Sequence, residues 1–414
     1  MLKHIRNILF IFIGMVAVGY LALVCVYALP TKPISQNVAE ASNIMQMDGS
    51  HPELIYGHQD TMLDNLTDSK MLGIARYNTT KNIFEEALLS NRVSVDGMMD
   101  SQIIAEEELE EKLNGEVVSY GRYWHGYLLY LKPLLLVLNY GQIRYFISLV
   151  QFALLITILY LFVKKGKERH IIPFAMAYLF LNPATLSLSL QYFSASVITM
   201  TQFVILLMCE DKYKTDFMRW IYHFFIVGIL IAYFDFLTYP LLTLGMPLVF
   251  LFAENKRTLK DSFVIFVGCC AAWGIGYAGM WGSKWVLGTL FTKENMILDA
   301  LRNVSLRVGV ADTSAKISAM EVIAKNVGAN KLFLLTALIM FALIAVYGII
   351  KYRIINIYDV NVGIILCAAL PIAWYMVVSD HSMVHYWFTY RIIAISIYAM
   401  LISAVTVFIK KQKG

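Results

Sequence analysis

Charge is what this sequence has least of. Only 15% of its 414 residues are Asp, Glu, Lys or Arg, whereas 59% are hydrophobic and the mean hydropathy is +0.63. An ordinary soluble domain is about 25% charged and roughly 45–50% apolar, so a soluble globular protein is excluded. Cysteine is also scarce. The five that occur, Cys25, Cys209, Cys269, Cys270 and Cys367, fall in or beside apolar runs, which excludes a disulfide framework. Internal repeats and low-complexity tracts are absent. The net charge of +5 resides in the links between apolar runs and gives no reason to invoke nucleic acid.

What is present is a series of apolar runs of the length that crosses a bilayer, about 20 residues. The first, Ile8–Leu29, follows Lys3, His4 and Arg6. It exceeds the apolar core of a signal peptide, about 7–15 residues, and "YALPTKP" is a poor cleavage site, so it is expected to be retained. Further runs lie at 142–163, 171–190, 193–209, 218–236, 238–253, 262–281, 332–350, 360–379 and 388–409. The expected fold is an all-α polytopic membrane protein of about ten transmembrane helices. Basic residues set its orientation. With the N-terminus inside, the links "KKGKERH", "EDKYKTDFMRW", "ENKRTLK" and "KYR" and the tail "KKQKG" all fall inside. The acidic segment with "AEEELEEKLNGE" falls outside, so an N-in, C-in chain of the cell membrane is expected. Its parts are the first span at 1–29, an extracytoplasmic loop with interfacial helices at 30–141, and a bundle at 142–414 with a second outer loop at 282–331. The sequons at Asn65, Asn78 and Asn303 fall outside in this arrangement.

Two motifs mislead. "GIGYAG" (Gly274, Gly276, Gly279) spells a dinucleotide fingerprint, but it lies inside an apolar run where small residues let helices pack closely. "HSMVH" spaces His381 and His385 like helical zinc ligands, yet Ser382 stands where the zinc-protease motif needs Glu. No metal site is assigned.

The first loop has helical patterns of its own: "VAEASNIMQM" ended by Gly49, "LDNLTDSKMLGIARY", "EEALL", and "SQIIAEEELEEKLNG" closed by Gly115. The "EEELEE" run is expected to be a solvated face. In "TMLDNLTDSKML", Asp64 and Asp68 stand one helical turn apart, a like-charge spacing that costs about 0.2–0.5 kcal/mol. Leu63, Leu66 and Met71 are expected on one side of that helix and the acids on the other. Next, "YGRYWHGYLLYLKPLLL" mixes Tyr120, Tyr123, Trp124, Tyr127 and Tyr130 with Arg122, His125 and Lys132, the composition of an interfacial helix at headgroup depth. It serves either as a plain anchor or as part of a site through Arg122 and His125. Polar groups also gather at the outer ends of other spans: Asn182, Gln191, Asp235, Asp380, His381, His385 and Arg391. Ionisable groups in an apolar zone face a cavity or a partner. Arg391 therefore either meets a phosphate or bridges to Asp380 or Asp235. Arg302 and Arg307 are within reach of a phosphate as well, although solvated surface charge is the simpler expectation for both. A transporter more often sets such groups near the bilayer midplane, where this chain has few.

The plan resembles the GT-C superfamily of membrane glycosyltransferases. "AEASNIMQMDGSHPEL" is similar to the segment after their first span, "YWHGYLLYLKPLLL" to their approach to the second, with His125 in the matching place, and "LNPATLSLSLQYFSASVITM" to their turn between the third and fourth. More narrowly, "LDNLTD", "RYWHGYL" and "HYWFTYR" resemble uncharacterised multi-spanning proteins encoded with surface-polysaccharide genes in Gram-positive bacteria. The likeness covers nearly the whole chain. One departure matters: the acidic residue or pair usual after the first span is replaced by "ISQNVAE", with Gln36 and Asn37 near the place and Glu40 the nearest acid.

The resemblance implies transfer of a sugar from a polyprenyl-phosphate-linked donor to a glycan or lipid-linked acceptor at the outer face. Asp64, Asp68 or Glu40 is then the base. Arg391, with Arg122, His125, Lys132, Asp235, His381 and His385, binds substrate. Many such enzymes need no metal, although the Asp cluster leaves room for a divalent cation. Two alternatives remain open: a polymerase or ligase of lipid-linked polysaccharide, whose main outer loop typically comes late in the chain, and a non-enzymatic transporter or assembly partner.

Overall fold

The structure, a computed structural model, describes residues 2–77, 82–105, 115–307, 318–352 and 360–409. It is all-helical in character. Among the described residues the only paired strands are Arg92–Ser94 and Glu116–Val118, antiparallel and three residues each. Among the described residues seven helices are long and apolar enough to cross a membrane: Leu2–Tyr27, Tyr140–Lys164, Leu190–Met208, Phe217–Phe234, Leu259–Phe291, Lys331–Tyr352 and Tyr386–Phe408. Two shorter apolar stretches, Leu242–Glu254 and Val362–Val377, lie among them.

The expected run at 171–190 is not one helix. Ile171–Phe180 stops, Asn182 adopts a left-handed conformation (φ 59°), and Pro183 opens the short helix Pro183–Leu188. Asn tolerates that conformation better than most residues, and Pro suits the first turn. The run at 238–253 also starts late, at Leu242. Before it, the Asp235 carboxylate accepts from the Thr238 N–H at 2.8 Å and its hydroxyl at 2.5 Å, closing a turn in which Leu237 has φ 66°.

Small residues bring helices together within the fingerprint-like stretch. A Cβ on Gly276 would stand 2.3 Å from the Phe225 carbonyl, and one on Gly228 would stand 2.1 Å from the Trp273 carbonyl. The helices Phe217–Phe234 and Leu259–Phe291 therefore meet backbone to backbone.

Polar contacts collect at the two ends of the bundle. At one end Glu254 joins Lys167, Arg169 (2.6 Å) and His170 (2.8 Å), and Lys167 also meets Glu210 at 2.8 Å. The 30–141 segment covers the other end with the helices Thr31–Ala39, Ala41–Asp48, Asn65–Arg76, Ile83–Leu89 and Leu128–Leu135. Gly49, at φ 84°, ends the second of these, as its position suggests. The expected "SQIIAEEELEEKLNG" helix is described only over Asp100–Ile103, and 106–114, with the whole "EEELEE" run, lies outside the described residues, as does Asn78.

The helix Asn65–Arg76 corrects one expectation. Its buried side carries Asn65, Asp68, Ser69 and Arg76 along with Met71 and Leu72, while Leu66 is half-exposed. The acids face inward because polar helix ends lie beneath them. The Asn65 sequon is buried with them, its side chain donating to the Gly49 carbonyl at 2.9 Å.

Candidate functional site

Asp64 is the N-cap of the Asn65–Arg76 helix, accepting from the Thr67 N–H at 2.8 Å. One turn on, Asp68 is wholly buried. It accepts from the Tyr140 hydroxyl at 2.7 Å and from the N–H groups of Leu190 (2.8 Å) and Gln191 (3.2 Å). Those two N–H groups belong to the first turn of the helix Leu190–Met208, which no intrahelical carbonyl satisfies. Asp68 thus caps that helix from across the fold. Arg144 supports it, donating to the Tyr140 oxygen at 2.6 Å and to Asn65 at 3.0 Å. Burial nevertheless pushes the Asp68 carboxyl up to about 6, against the pull of the Leu190 N–H, Arg144 and Tyr140.

Asp64 has different company. Gln191 donates to its Oδ2 at 2.7 Å, and His51 Nε2 stands 3.6 Å from its Oδ1 with a third of the imidazole side chain exposed. His51 packs edge-on against Trp387 (5.3 Å between centroids), and Trp387 against His385 (5.1 Å). An arc therefore runs from the first loop to the residues before the last helix. Burial pushes His385 down to about 4; the Asp64 charge opposes this, while Arg307 and His51 add to it. The ring is neutral at pH 7, and among the described residues its Nδ1 has no hydrogen-bond partner. The indole Nε1 of Trp387 has none either.

His381 lies beside His385, centroids 4.7 Å apart, with Nε2 2.7 Å from the Leu237 carbonyl. Burial first, then the charges of His385 and Arg307, hold it well below its ordinary value. Left-handed backbone is unusual for a bulky residue; at Leu237 it belongs to the Asp235 turn, so His381 and Asp235 meet one structural feature.

Arg307 ends the helix Met296–Arg307 and stacks over Tyr123 at 5.6 Å. Its charge also reaches Tyr277, as does that of Asp235. With Arg122, Trp281 and Trp285 it lines a narrow cleft. The rings of Tyr277 and Trp281 are 5.0 Å apart, and the Tyr277 hydroxyl and Trp281 Nε1 are buried without partners among the described residues.

The remaining candidates are placed apart or already engaged. Arg122 pairs with Asp299 at 3.1 Å and stacks over Tyr120 at 4.5 Å. His125, left-handed at φ 56°, holds the Tyr120 carbonyl at 2.8 Å with Nε2 and packs among Tyr120, Tyr127 and Phe236. Burial pushes it down to about 3. Lys132 is wholly buried, its Nζ 4.7 Å from the centre of the Tyr27 ring and, among the described residues, without a hydrogen-bond partner. Burial pushes it down to about 8, with Glu86 opposing. Glu40 is exposed and accepts from Asn139 at 2.7 Å. Arg391 is fully buried over Tyr192 (4.3 Å). It donates to the carbonyls of Leu181 (2.8 Å) and Trp387 (3.1 Å) and to the Thr185 hydroxyl (2.6 Å), so neither of the expected bridges to Asp380 or Asp235 is among its contacts.

One end of the bundle thus assembles Asp64, His51, His381, His385, Trp387, Arg307, Tyr277 and Trp281, with the Asp235 turn beside them. Among the described residues no group of three or more His, Cys, Asp or Glu is placed to hold a metal. Sequence reasoning missed His51, Trp387, Tyr277 and Trp281, and for Arg307 it preferred a solvated surface over contact with a phosphate. A signal existed for two of these: Tyr277, Trp281 and Trp285 recur every fourth residue, one face of a helix. No protein-family model, curated protein or solved structure matches this chain.

Proposed function

We propose that this chain is a membrane glycosyltransferase that moves a sugar from a polyprenyl-phosphate-linked donor to a hydroxyl of a cell-surface glycan or lipid-linked acceptor. In this reading the apolar helices make ten passes with both termini inside, and the loop-covered end faces out of the cell. The observation that carries the reading is the set of buried polar atoms at that end left without partners among the described residues. They are His385 Nδ1, Trp387 Nε1, Tyr277 OH and Trp281 Nε1, grouped with Asp64 and Arg307. Buried polar groups nearly always find partners. A polyhydroxylated ligand with an anionic group supplies the partners that this set lacks.

Asp64 is the base in this reading. Asp68 is engaged in capping a helix and Glu40 lies at the surface, whereas Asp64 keeps acceptor capacity and a path to solvent past His51. As the acceptor oxygen attacks the anomeric carbon, its proton passes to Asp64. The bond from that carbon to the phosphate oxygen breaks, and its electron pair stays on the phosphate. Arg307 and Arg122 meet the charge that develops there. Arg391 acts as a positioning residue, tying the Trp387 carbonyl to the broken helix at Leu181 and Thr185.

The test is transfer by purified protein in vesicles, with a panel of polyprenyl-phosphate-linked sugars as donors and release of polyprenyl phosphate as the readout. Asn caps a helix about as well as Asp, so Asp64→Asn is expected to fold. It should lose about 10²–10⁴-fold in rate, the usual contribution of a positioned base. Transfer by Asp64→Asn at the native rate would overturn the assignment.

A further inference from the structure

At the end of the bundle away from the first loop, the helices Leu190–Met208 and Phe217–Phe234 part around a pocket of about 490 Å³. Small-molecule sites span about 300–1,000 Å³. Its apolar walls include Ile198 and Ile205 from one helix and Ile226 and Leu230 from the other. A second groove, of about 520 Å³, lies between Phe217–Phe234 and the first helix, and Ile226 and Leu230 line that one too. The two grooves therefore flank a single ridge. Gly14 gives the second groove depth, since nothing stands within 4 Å of where its Cβ would be.

Only the first groove has charge at its mouth. Lys212 and Arg219 line it. Arg219 shares its charge with half-exposed Asp216 at 3.3 Å, and Lys212 has no ion-pair partner among the described residues. The inner wall is polar at one point, where His223 is held between the Tyr213 hydroxyl (2.9 Å) and Gln202 Oε1 (3.0 Å).

We propose that a diacyl phospholipid with an anionic headgroup binds here, its phosphate at Lys212 and Arg219 and one chain in each groove astride Ile226 and Leu230. Two apolar channels that share a wall, with cations at the mouth of one, match two chains joined to one phosphate. The depth matches as well. Arg219 to Leu230 spans eleven residues of helix, about 16 Å, close to half of a hydrocarbon core roughly 30 Å thick. Basic residues at this depth draw anionic lipid. The site is separate from the loop-covered end and does not depend on the reading given to it.

The test is native mass spectrometry of the full chain released from nanodiscs of equal parts phosphatidylglycerol and phosphatidylcholine. The native chain should retain phosphatidylglycerol in preference. Lys212→Gln with Arg219→Gln should lower that retention about five-fold per charge and remove the preference, with the unfolding temperature unchanged. Ile226→Trp, which adds bulk to the ridge shared by the two grooves, should lower retention of either lipid. Equal retention of the two lipids by the native chain, or native retention of phosphatidylglycerol by the double variant, would overturn the proposal.

Discussion

At Asp68 three hydrogen-bond donors and a nearby guanidinium favour the charged carboxylate, yet burial outweighs them and its pKa stands near 6. An unfolded chain titrates this group near 3.9. Between about pH 4 and 6 the folded protein therefore holds a proton that the unfolded chain has released. The contribution of Asp68 to stability is fully present below about pH 4 and is lost as pH rises through 6. Asp68→Asn removes this titration and leaves the neighbouring histidines to titrate in both proteins. The unfolding temperature of the native chain minus that of Asp68→Asn, measured in detergent, should fall from pH 4 to 6 and stay level above 7. A difference constant across the whole range would mean that Asp68 ionises as it does in water. Asp64, one turn away, has other surroundings: it caps its own helix and faces the partly exposed imidazole of His51.

Among the elements, "GIGYAG" holds a comparison within six residues. The Cβ of Gly276 would press on the Phe225 carbonyl at 2.3 Å, and backbone in a packed helix pair cannot yield cheaply. The Cβ of Gly274 would meet nothing within 4 Å. Gly276→Val should therefore destabilise the protein by about 1–3 kcal/mol or more, the usual cost of overpacking, and Gly274→Val should be close to neutral. Thermal unfolding of the two variants separates close helix packing from a loss of general flexibility, which both substitutions would cause. The packing role of this stretch was legible because its small residues sit in an apolar run. So were Gly49 as a helix end and Asp64 and Asp68 as neighbours on one helix. The inward turn of that helix was not. An apolar side and an acidic side look alike to a periodicity argument when polar helix ends can lie beneath the acids. Arg391 was legible as a buried cation, but its three partners come from residues up to 210 positions away, and no local spacing announces them. The gathering of His51, His385 and Arg307 is unreadable locally for the same reason.

Over the whole molecule, the two ends differ in a way that orients it. One end has Lys167 and Arg169 bound to Glu254, with Lys212, Lys214 and Arg219 near the same helix termini. The other is covered by the 30–141 segment, whose described charged groups include several engaged with the fold, as in Arg92 with Asp100 (2.5 Å) and Arg76 with the Ile104 carbonyl (2.7 Å). Lys and Arg beside short links are retained in the cytoplasm, and the proposed topology accordingly puts the basic end inside. Cysteine accessibility tests this directly. Tyr56 in the first loop is almost fully exposed and Lys165 lies in an exposed link at the basic end. In intact cells a membrane-impermeant maleimide should label Tyr56→Cys above the native background and should label Lys165→Cys only after permeabilisation. The reverse pattern would put Asp64 and the unpartnered donors on the cytoplasmic side and rule out an outer-face transferase. It would also move the proposed phospholipid to the opposite leaflet without altering its contacts.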